Sequence, residues 1–401
     1  MTKSDNAHSQ ESSSYAALGA SSAKAGVLAA VGEGSSSRYF AAPLPDVAGD
    51  PNFAFFLHAD GAGTKSIIAY LAYRESGDTS VFSSLGFDST VMNTDDVACA
   101  GGVDGLVLSN TIGRNRNLVP DEAIAAIIKG YRECATMLTS QGLPLTLAGG
   151  ETADLADLVR TIVVDSTLSA RVPRSMLVDT TRVQSGDVIV GFSSTGQATF
   201  ESAPNSGVGS NGLTLARHAL LTKSYADRFP EVVDPNISRE VIYRGKYLLS
   251  DRPDCLQTPG GFGMTVGEAL LSPTRSYAPL IKRILATHGE EIHALFHMTG
   301  GGQTKNKRFG AGVCYEKDNL FPVPPLFSLI QEDAGIPWAE MYAVFNMGHR
   351  LEAVVPPSIA DQVIKASEQF GIAARVVGRV TSSKGDNEVV IISPHGTFRF
   401  S

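Results

Sequence analysis

The stretch Phe53-Ala-Phe-Phe-Leu-His-Ala-Asp-Gly-Ala-Gly-Thr-Lys65 decides the fold class of this chain. Its first five residues are apolar and largely aromatic, which predicts a short buried strand. The glycines that follow predict a tight turn, and Ser66 to Tyr73 has the apolar spacing of a helix. A strand that runs through a glycine-rich turn into a helix is a unit from which α/β domains are built.

The same pattern recurs along the chain and predicts an α/β or α+β fold in two domains. Further strands are predicted at 105–108, 143–148, 161–170, 188–192, 294–297, 343–345, 351–355, 374–380 and 389–392, and helices at 88–99, 120–138, 212–221, 277–288 and 357–370. The turn Gln184-Ser-Gly-Asp187 places a domain boundary near 180. We therefore expect a partly disordered extension at 1–37, an N-terminal domain at 38–180 and a C-terminal domain at 181–401.

The composition argues against several classes of protein. The chain has 401 residues, with 33 Lys+Arg against 41 Asp+Glu and a formal net charge of −8. Because phosphate contacts need clustered positive charge, this acidic balance argues against nucleic acid or an anionic membrane as the main partner. No apolar run approaches the roughly 20 residues that span a bilayer, and the N-terminus lacks the apolar core of a signal peptide. Four scattered cysteines without metal-binding spacing favour a reducing, cytoplasmic location.

The informative glycines are concentrated in four segments, at 60–65, 148–154, 207–212 and 299–304. The first two follow predicted strands, where the crevices of α/β proteins take ligands. Glycine lets backbone N–H groups approach phosphate oxygens, so these segments are candidate anion-binding turns. A single glycine-rich turn is more often only a turn, and the spacing of Gly61 and Lys65 is not that of a P-loop.

The second signal is a set of carboxylates in apolar, small-residue surroundings: Asp60, Asp88, Asp95, Asp96, Glu151 and Asp154. Oxygen ligands near phosphates are what Mg²⁺ requires, although any one of them is equally a candidate helix cap or surface charge. Lys65 is a candidate to neutralise a transferring phosphoryl group, or a solvated lysine in a first turn. His297 is a candidate to face a phosphate or a polarised amide, or a structural histidine. Asn306, Lys307 and Arg308 are candidates to bind an anionic substrate tail, although loop solubility explains Lys307 and Arg308 equally well.

Eight short motifs follow one another along the chain: Asp60-Gly-Ala-Gly-Thr-Lys65, Asp95-Asp96, Gly149-Gly-Glu-Thr-Ala-Asp154, Ser185-Gly-Asp-Val-Ile189, Ser210-Asn-Gly212, Ser272-Pro-Thr-Arg-Ser-Tyr277, His297-Met-Thr-Gly-Gly-Gly302 and Met341-Tyr-Ala-Val-Phe-Asn-Met-Gly348. In these motifs and their order, residues 15 to about 380 resemble the aminoimidazole ribonucleotide synthetases, which are also called phosphoribosylformylglycinamidine cyclo-ligases. The resemblance implies a homodimer whose N-terminal domains build a shared barrel, with a C-terminal α/β domain behind it.

The resemblance also implies a reaction. ATP and Mg²⁺ would activate the formyl amide oxygen of formylglycinamidine ribonucleotide as an iminophosphate, after which the amidine nitrogen closes the imidazole ring and phosphate leaves. By this match the metal ligands are Asp60, Asp88, Asp96 and Glu151, and the nucleotide contacts are Asp60, Gly61, Gly63, Thr64, Lys65, Gly149, Gly150 and Glu151. The substrate contacts are Asn211, Gly300, Gly301 and Gly302, with Asn306 added as above. The catalytic candidates are Lys65, Asp96 and His297.

The chain departs from this family pattern at several places. Gly209 stands where a histidine usually precedes Ser-Asn-Gly, at the end of a longer insert, and 222–263 is also longer than typical. Asn306-Lys-Arg-Phe309 replaces the usual Asn-x-Pro-Arg, and His349-Arg350 replaces small or aliphatic residues. These changes predict a divergent branch with a remodelled substrate pocket.

Two alternatives to the cyclo-ligase stay open at this point. One is another ATP-dependent enzyme of the superfamily, such as selenophosphate synthetase, thiamine-monophosphate kinase or formylglycinamidine ribonucleotide synthetase. The first of these usually carries a reactive residue near the N-terminus, and no cysteine precedes Cys99. The other alternative is a nucleotide-binding paralogue that has lost turnover.

Overall fold

A five-stranded sheet forms the first half of the protein, in a computed structural model that describes residues 13–20 and 38–401. Its strands, in the spatial order β1-β2-β5-β3-β4, are β1 (Leu44–Pro45), β2 (Phe53–Gly61), β3 (Leu106–Arg114), β4 (Leu145–Asp154) and β5 (Ile162–Pro173). Most of the predicted extension at 1–37 lies outside the described residues; the part within them holds the short helix α1 (Ser14–Ala17).

One face of this first sheet is covered by helices and the other is exposed. Side chains along β5 alternate between buried and more exposed positions, as expected of a strand with one covered face. The helices of this half are α2 (Lys65–Ser76), α3 (Ser83–Cys99) and α4 (Asp121–Ser140). Helix α3 lies on β2 and β5 on one side and on α4 on another.

A seven-stranded sheet forms the second half, in the spatial order β12-β11-β8-β10-β6-β9-β7. Its strands are β6 (Val188–Ser193), β7 (Ala294–His297), β8 (Val313–Lys317), β9 (His349–Val355), β10 (Ala374–Ser382), β11 (Glu388–Ser393) and β12 (Gly396–Phe400). Its helices are α5 (Leu213–Leu220), α6 (Ser224–Arg228), α7 (Val266–Leu271), α8 (Ala278–His288), α9 (Pro325–Ala334), α10 (Trp338–Val344) and α11 (Ala360–Glu368). The predicted α/β (α+β) fold class is confirmed, and the structure builds it from two sheets.

The two halves meet at helix α3, which also contacts α8 and β7. All but one of the residues from Leu85 to Cys99 are buried. Polar side chains on this helix therefore face the interior of the protein rather than solvent. No helix within the described ranges is long and apolar enough to cross a membrane.

Some local predictions were wrong. The apolar run at 343–345 does not form a strand; its first two residues end helix α10, which begins after Pro337. A short apolar run does not distinguish a strand from a buried helix, and the proline that starts the helix was the overlooked signal. The segment Gly149 to Thr152 does not end its strand, because β4 continues to Asp154 after a register shift opposite β3.

Candidate functional site

Helix α3 carries the side chains around which the candidate site is built. Near its C-terminal end, Oδ1 of Asp96 lies 2.7 Å from Nδ1 of His297, the last residue of β7. The other carboxylate oxygen of Asp96 lies 3.6 Å from Nε2 of His58 on β2. Helix α3 thus joins a strand of each sheet through one carboxylate.

Five residues form this site, which we call the Asp96 cluster: His58, Asp60, Asp96, His297 and Lys305. Lys305 lies close enough to Asp96 for each charge to shift the pKa of the other group. Asp60 lies close enough for the charge of Asp96 to raise its pKa. The ammonium of Lys305 also lies 4.4 Å from the centre of an aromatic ring, that of Phe40, which favours a cation there. The structure therefore brings together residues that are 247 positions apart, from His58 to Lys305.

The surroundings shift the pKa values of the two carboxylates of the cluster in opposite directions. Burial alone would raise the pKa of Asp96, but the charge of Lys305 and the hydrogen bond from His297 outweigh it and hold the pKa at about 2. Burial raises the pKa of Asp60, and the nearby charge of Asp96 raises it further. The surroundings therefore favour the charged form of Asp96, and a cation bound beside Asp60 would oppose the shift caused by burial and by Asp96.

A hydrogen bond holds His297 against Asp96. Because a carboxylate oxygen accepts, Nδ1–H of His297 is the donor of this hydrogen bond. Nε2 of His297 has no hydrogen-bond partner among the described residues and lies 4.0 Å from Oδ2 of Asp95, and the imidazole is fully buried. His297 consequently acts on the cluster through Asp96 rather than by direct contact with solvent.

Asn93 was not predicted as a site residue, yet it holds two members of the cluster in place. Its Oδ1 lies 2.9 Å from Nδ1 of His58, and its Nδ2 donates to the carbonyl oxygen of Asp60 at 3.0 Å. Lys305 was also missed, although a lysine soon after a glycine-rich turn is the criterion that selected Lys65. Asn93 had only its position three residues before Asp96 as a signal.

Lys65 and Asp88 lie outside the Asp96 cluster and pair with each other. Nζ of Lys65 lies 2.9 Å from Oδ1 of Asp88, and both side chains are fully buried. Lys65 also donates to the carbonyl oxygen of Ser272, and Oδ1 of Asp88 accepts from the amide of Thr274 at 2.7 Å. The pair thus fastens helices α2 and α3 to the segment that precedes α8.

The four predicted metal ligands do not form one set in the described part of the chain. Asp88 and Asp96 are eight residues apart on one helix, which is about 12 Å along the axis. The strand register places Asp60 on the face of the first sheet that covers α3, because Asp60 pairs with the buried Ser166. Glu151 pairs with Thr111 and lies on the opposite, exposed face. In the described residues no three His, Cys, Asp or Glu side chains have a metal-binding arrangement, so the metal role of each carboxylate stays a prediction.

Asp95 is placed as a helix cap. Its two carboxylate oxygens accept from the hydroxyl of Ser276 and from the amides of Tyr277 and Ala278, at 2.8 to 3.1 Å. These amides belong to the first turn of helix α8, where a carboxylate is favoured by the exposed N–H groups. This carboxylate therefore joins α3 to α8.

The predicted substrate loops meet one another. A Cβ atom built on Gly300 would lie 4.0 Å from Nδ2 of Asn211, and one built on Gly63 would lie 3.8 Å from the carbonyl oxygen of Ser210. The hydroxyl of Thr64 lies 3.0 Å from that of Thr214 in the first turn of α5. The turn after β2, the loop before α5 and the loop after β7 therefore converge, as the prediction of a shared ligand site requires. Gly301 and Gly302 lie in the loop after β7 and Gly61 is the last residue of β2, whereas Gly149 and Gly150 lie in edge strand β4 with Glu151.

Asn306 points away from these loops. Its Nδ2 donates to Oε2 of the buried Glu352 at 3.1 Å. Glu352 also pairs with Lys317 at 2.6 Å and with His349 at 2.8 Å, so its pKa is lowered despite burial. The predicted contact of Asn306 with a substrate tail stays a prediction.

Comparison with known proteins identifies the family. A family model described as "AIR synthase related protein, N-terminal domain" matches residues 41–172, and one described as "AIR synthase related protein, C-terminal domain" matches residues 184–391. The chain belongs to the AIR synthase family. The resemblance predicted from the eight motifs is therefore confirmed.

Named relatives within the AIR synthase family carry one activity in their names. The phosphoribosylformylglycinamidine cyclo-ligase of Methanocaldococcus jannaschii is 31% identical over 333 residues, which are 83% of this chain and 79% of that protein. The cyclo-ligase of Thermococcus gammatolerans is 29% identical over 336 residues, 83% of this chain and 81% of that protein. A solved structure, phosphoribosylformylglycinamidine synthase II of Thermotoga maritima, matches 92% of this chain and 46% of its own at 15% identity, with a TM-score of 0.48.

Proposed function

We propose that the protein is an ATP-dependent cyclo-ligase that converts formylglycinamidine ribonucleotide to aminoimidazole ribonucleotide in purine biosynthesis, with release of ADP and phosphate. The observation that carries this proposal is the 31% identity to the cyclo-ligase of M. jannaschii over 333 residues, which extends across both halves of the fold. The substrates are ATP and a phosphoribosyl compound. Neither nucleic acid nor a membrane is needed.

Magnesium would accompany ATP, and the Asp96 cluster has the donor chemistry that such an ion requires. The charge of Asp96 raises the pKa of Asp60, so a divalent cation bound by both carboxylates would be stabilised by both charges. We propose these two carboxylates as the main protein ligands within one chain. The bound ion would neutralise the phosphate charge during phosphoryl transfer. Asp88 would bind the ion through Oδ2, which has no hydrogen-bond partner in the part of the chain that the structure describes.

The other members of the cluster would support this step. Lys305 would stand beside the transferring phosphoryl group, where a cation stabilises the developing charge. His297 would keep Asp96 ionised and oriented, and Asn93 would orient His58. Asn211 and the loop 300–302 would hold the formylglycinamidine group so that its amidine nitrogen lies near the activated amide carbon.

We further propose that the protein is a homodimer formed by the exposed face of the first sheet. Three apolar side chains are exposed on that face: Leu57 at 60%, Val107 at 37% and Val163 at 44%. Apolar side chains exposed together on a sheet are characteristic of an interaction surface. Glu151 lies on the same face, so its predicted metal role would be exercised at the interface. The four free cysteines agree with the proposed cytoplasmic location.

The proposed function is tested by incubating purified protein with formylglycinamidine ribonucleotide, ATP and Mg²⁺ and measuring ADP and aminoimidazole ribonucleotide. We expect equal amounts of the two products. Asp96→Asn is expected to lower kcat at least about a hundredfold with the fold retained, because a group that stabilises the transition state is lost. Asp104→Asn is the matched control, since Asp104 forms only a surface pair with Lys282.

Other outcomes discriminate the alternatives. Folded protein that forms no aminoimidazole product above background would refute the cyclo-ligase. ATP binding without any turnover would favour the non-catalytic paralogue, and ATP turnover with a different acceptor would favour another enzyme of the superfamily. Unchanged activity of Asp96→Asn would refute the metal assignment, and Glu151→Gln tests the exposed carboxylate in the same way.

A further inference from the structure

Arg350 is a buried cation that the proposed reaction has not used. It is the second residue of β9 and is 2% exposed. Its Nη2 donates to the carbonyl oxygen of Arg275, and its guanidinium lies over the ring of Tyr277 at 5.4 Å. Within residues 13–20 and 38–401 its Nε has no hydrogen-bond partner. In the described part of the chain no carboxylate forms an ion pair with it. An unpaired buried charge is costly, so its retention calls for a ligand or another compensating role.

The neighbouring Arg275 is a buried arginine whose guanidinium N–H groups find acceptors within the protein. Its Nε and Nη2 donate to the carboxylate of Glu201 at 2.9 and 2.6 Å, and its remaining N–H groups donate to backbone carbonyls of residues 193, 195 and 196. The two arginines are both buried and lie side by side. Among the described residues, Arg275 pairs directly with a carboxylate, whereas the charge of Arg350 acts on a carboxylate, that of Asp95, without a direct ion pair.

The guanidinium of Arg350 packs against the glycine-rich loop at 207–212. A Cβ atom built on Gly209 would lie 2.6 Å from Nη1 of Arg350, and Gly209 has a positive φ of +69°. A side chain at 209 and an arginine at 350 therefore compete for the same space. Glycine at 209 allows the guanidinium to approach the loop backbone.

The same loop presents donors that lack acceptors. No acceptor among the described residues contacts the amide N–H groups of residues 209 to 212, which lead into helix α5. Gly209 and Ser210 are buried, so these donors are largely shielded from solvent. Unsatisfied N–H groups before a helix, next to a guanidinium, form a favourable environment for an anion.

We propose that Arg350 and the loop amides of residues 209–212 bind a phosphate group of a substrate. The forked N–H groups of arginine match the oxygens of a phosphate, and the loop amides would complete its coordination. This inference deepens the proposed function, because both of its substrates carry phosphate. The turn at Gly63 reaches the same loop, which makes the terminal phosphates of ATP one source and the phosphoribosyl group the other.

The direct test measures binding of inorganic phosphate by calorimetry to the wild type and to Arg350→Met. We expect the variant to bind about ten- to a hundredfold more weakly, which is the effect of losing a hydrogen bond to a charged group. Arg217→Met is the matched control: Arg217 is also buried, has an unpartnered Nε and lies over a tyrosine ring, but contacts Val232 and Tyr243. It should bind phosphate as the wild type does.

Two further variants keep the proposal testable if Arg350→Met does not fold. Arg350→Lys retains the charge without the fork and should show a smaller loss. Gly209→His should weaken phosphate binding in the wild type but add little to an Arg350 variant, because both changes displace the same guanidinium. Steady-state kinetics identify the source of the phosphate, since KM should rise for ATP or for formylglycinamidine ribonucleotide but not for both.

The outcomes that overturn this inference are separate from those that overturn the function. Absence of phosphate binding by the wild type, or equal weakening by Arg217→Met and Arg350→Met, would leave Arg350 a packing residue. If the wild type formed no aminoimidazole product, the cyclo-ligase proposal would fail, while the phosphate-binding measurement would still decide the role of Arg350.

Discussion

Replacing Lys65 by methionine should destabilise the protein, because Lys65 is half of a buried ion pair. Its Nζ lies 2.9 Å from Oδ1 of Asp88 with both side chains fully buried, and it also donates to the carbonyl oxygen of Ser272. Burial lowers the pKa of Lys65, and the carboxylate of Asp88 opposes that shift. Methionine fills similar space but leaves the carboxylate of Asp88 without its cation.

The expected loss is about 3–5 kcal/mol, as found when one partner of a buried pair is removed. An unfolding entropy of about 2.1 cal/mol/K per residue, applied to the whole chain, converts this loss to roughly 4–6 °C in the unfolding midpoint. The double variant Lys65→Met with Asp88→Asn should lose less, about 1–3 kcal/mol. Its asparagine still accepts from the amide of Thr274 but carries no charge.

Differential scanning calorimetry at neutral pH measures these shifts. The matched control is Lys282→Met, because Lys282 pairs with Asp104 at the surface, with 30% and 57% of the two side chains exposed. Such a pair contributes at most about 1 kcal/mol. A midpoint for Lys65→Met within about 1 °C of wild type, or a double variant no more stable than the single one, would refute the reasoning. Lys65 would then be free for the phosphate contact predicted from the sequence.

Two further predictions concern pH and assembly. Nδ1 of His218 accepts the amide of Tyr243 at 3.1 Å, and burial, aided by Arg217, holds the pKa of His218 at about 2. In the unfolded chain His218 binds a proton near pH 6.5, and in the folded protein it does not. The free energy of unfolding should therefore fall below pH 6.5 by about 1.4 kcal/mol per pH unit. Urea unfolding at pH 7.5 and pH 5 should show that His218→Gln removes this contribution. Leu57→Asp should convert the proposed dimer to a monomer in light scattering, whereas Leu158→Asp, at an 82% exposed position, should not; an unchanged mass for Leu57→Asp would place the interface elsewhere.

The elements that could be predicted from the sequence are those whose signal is local. The strand and turn from Phe53 to Lys65 combine an apolar run with glycines, and both features act on neighbouring residues. The run at 343–345 has similar apolar character but follows a proline that starts a helix, and there the periodicity misled. The apolar character of the two runs alone did not distinguish the strand that begins at Phe53 from the helix end at 343–344.

The candidate site was predictable only in part, for a related physical reason. Asp60, Asp96 and His297 were selected by residue type and by their places beside strands and turns, and the structure gathers them in one cluster. Lys65 was selected on the same grounds but is buried against Asp88. Whether a charged side chain faces a ligand or a buried counter-charge depends on tertiary packing, which local patterns do not contain.

Gly209 and Arg350 illustrate this dependence most directly. In the sequence they are two separate departures from the family pattern, 141 positions apart. In the structure a Cβ atom at 209 and Nη1 of Arg350 would be only 2.6 Å apart, so each residue restricts the other. A smaller residue at 350 would relieve the steric conflict with a side chain at 209, but the positive φ of 209 would strain that side chain in either background. The departures from the family pattern at 209 and 350 are thus coupled through space rather than independent.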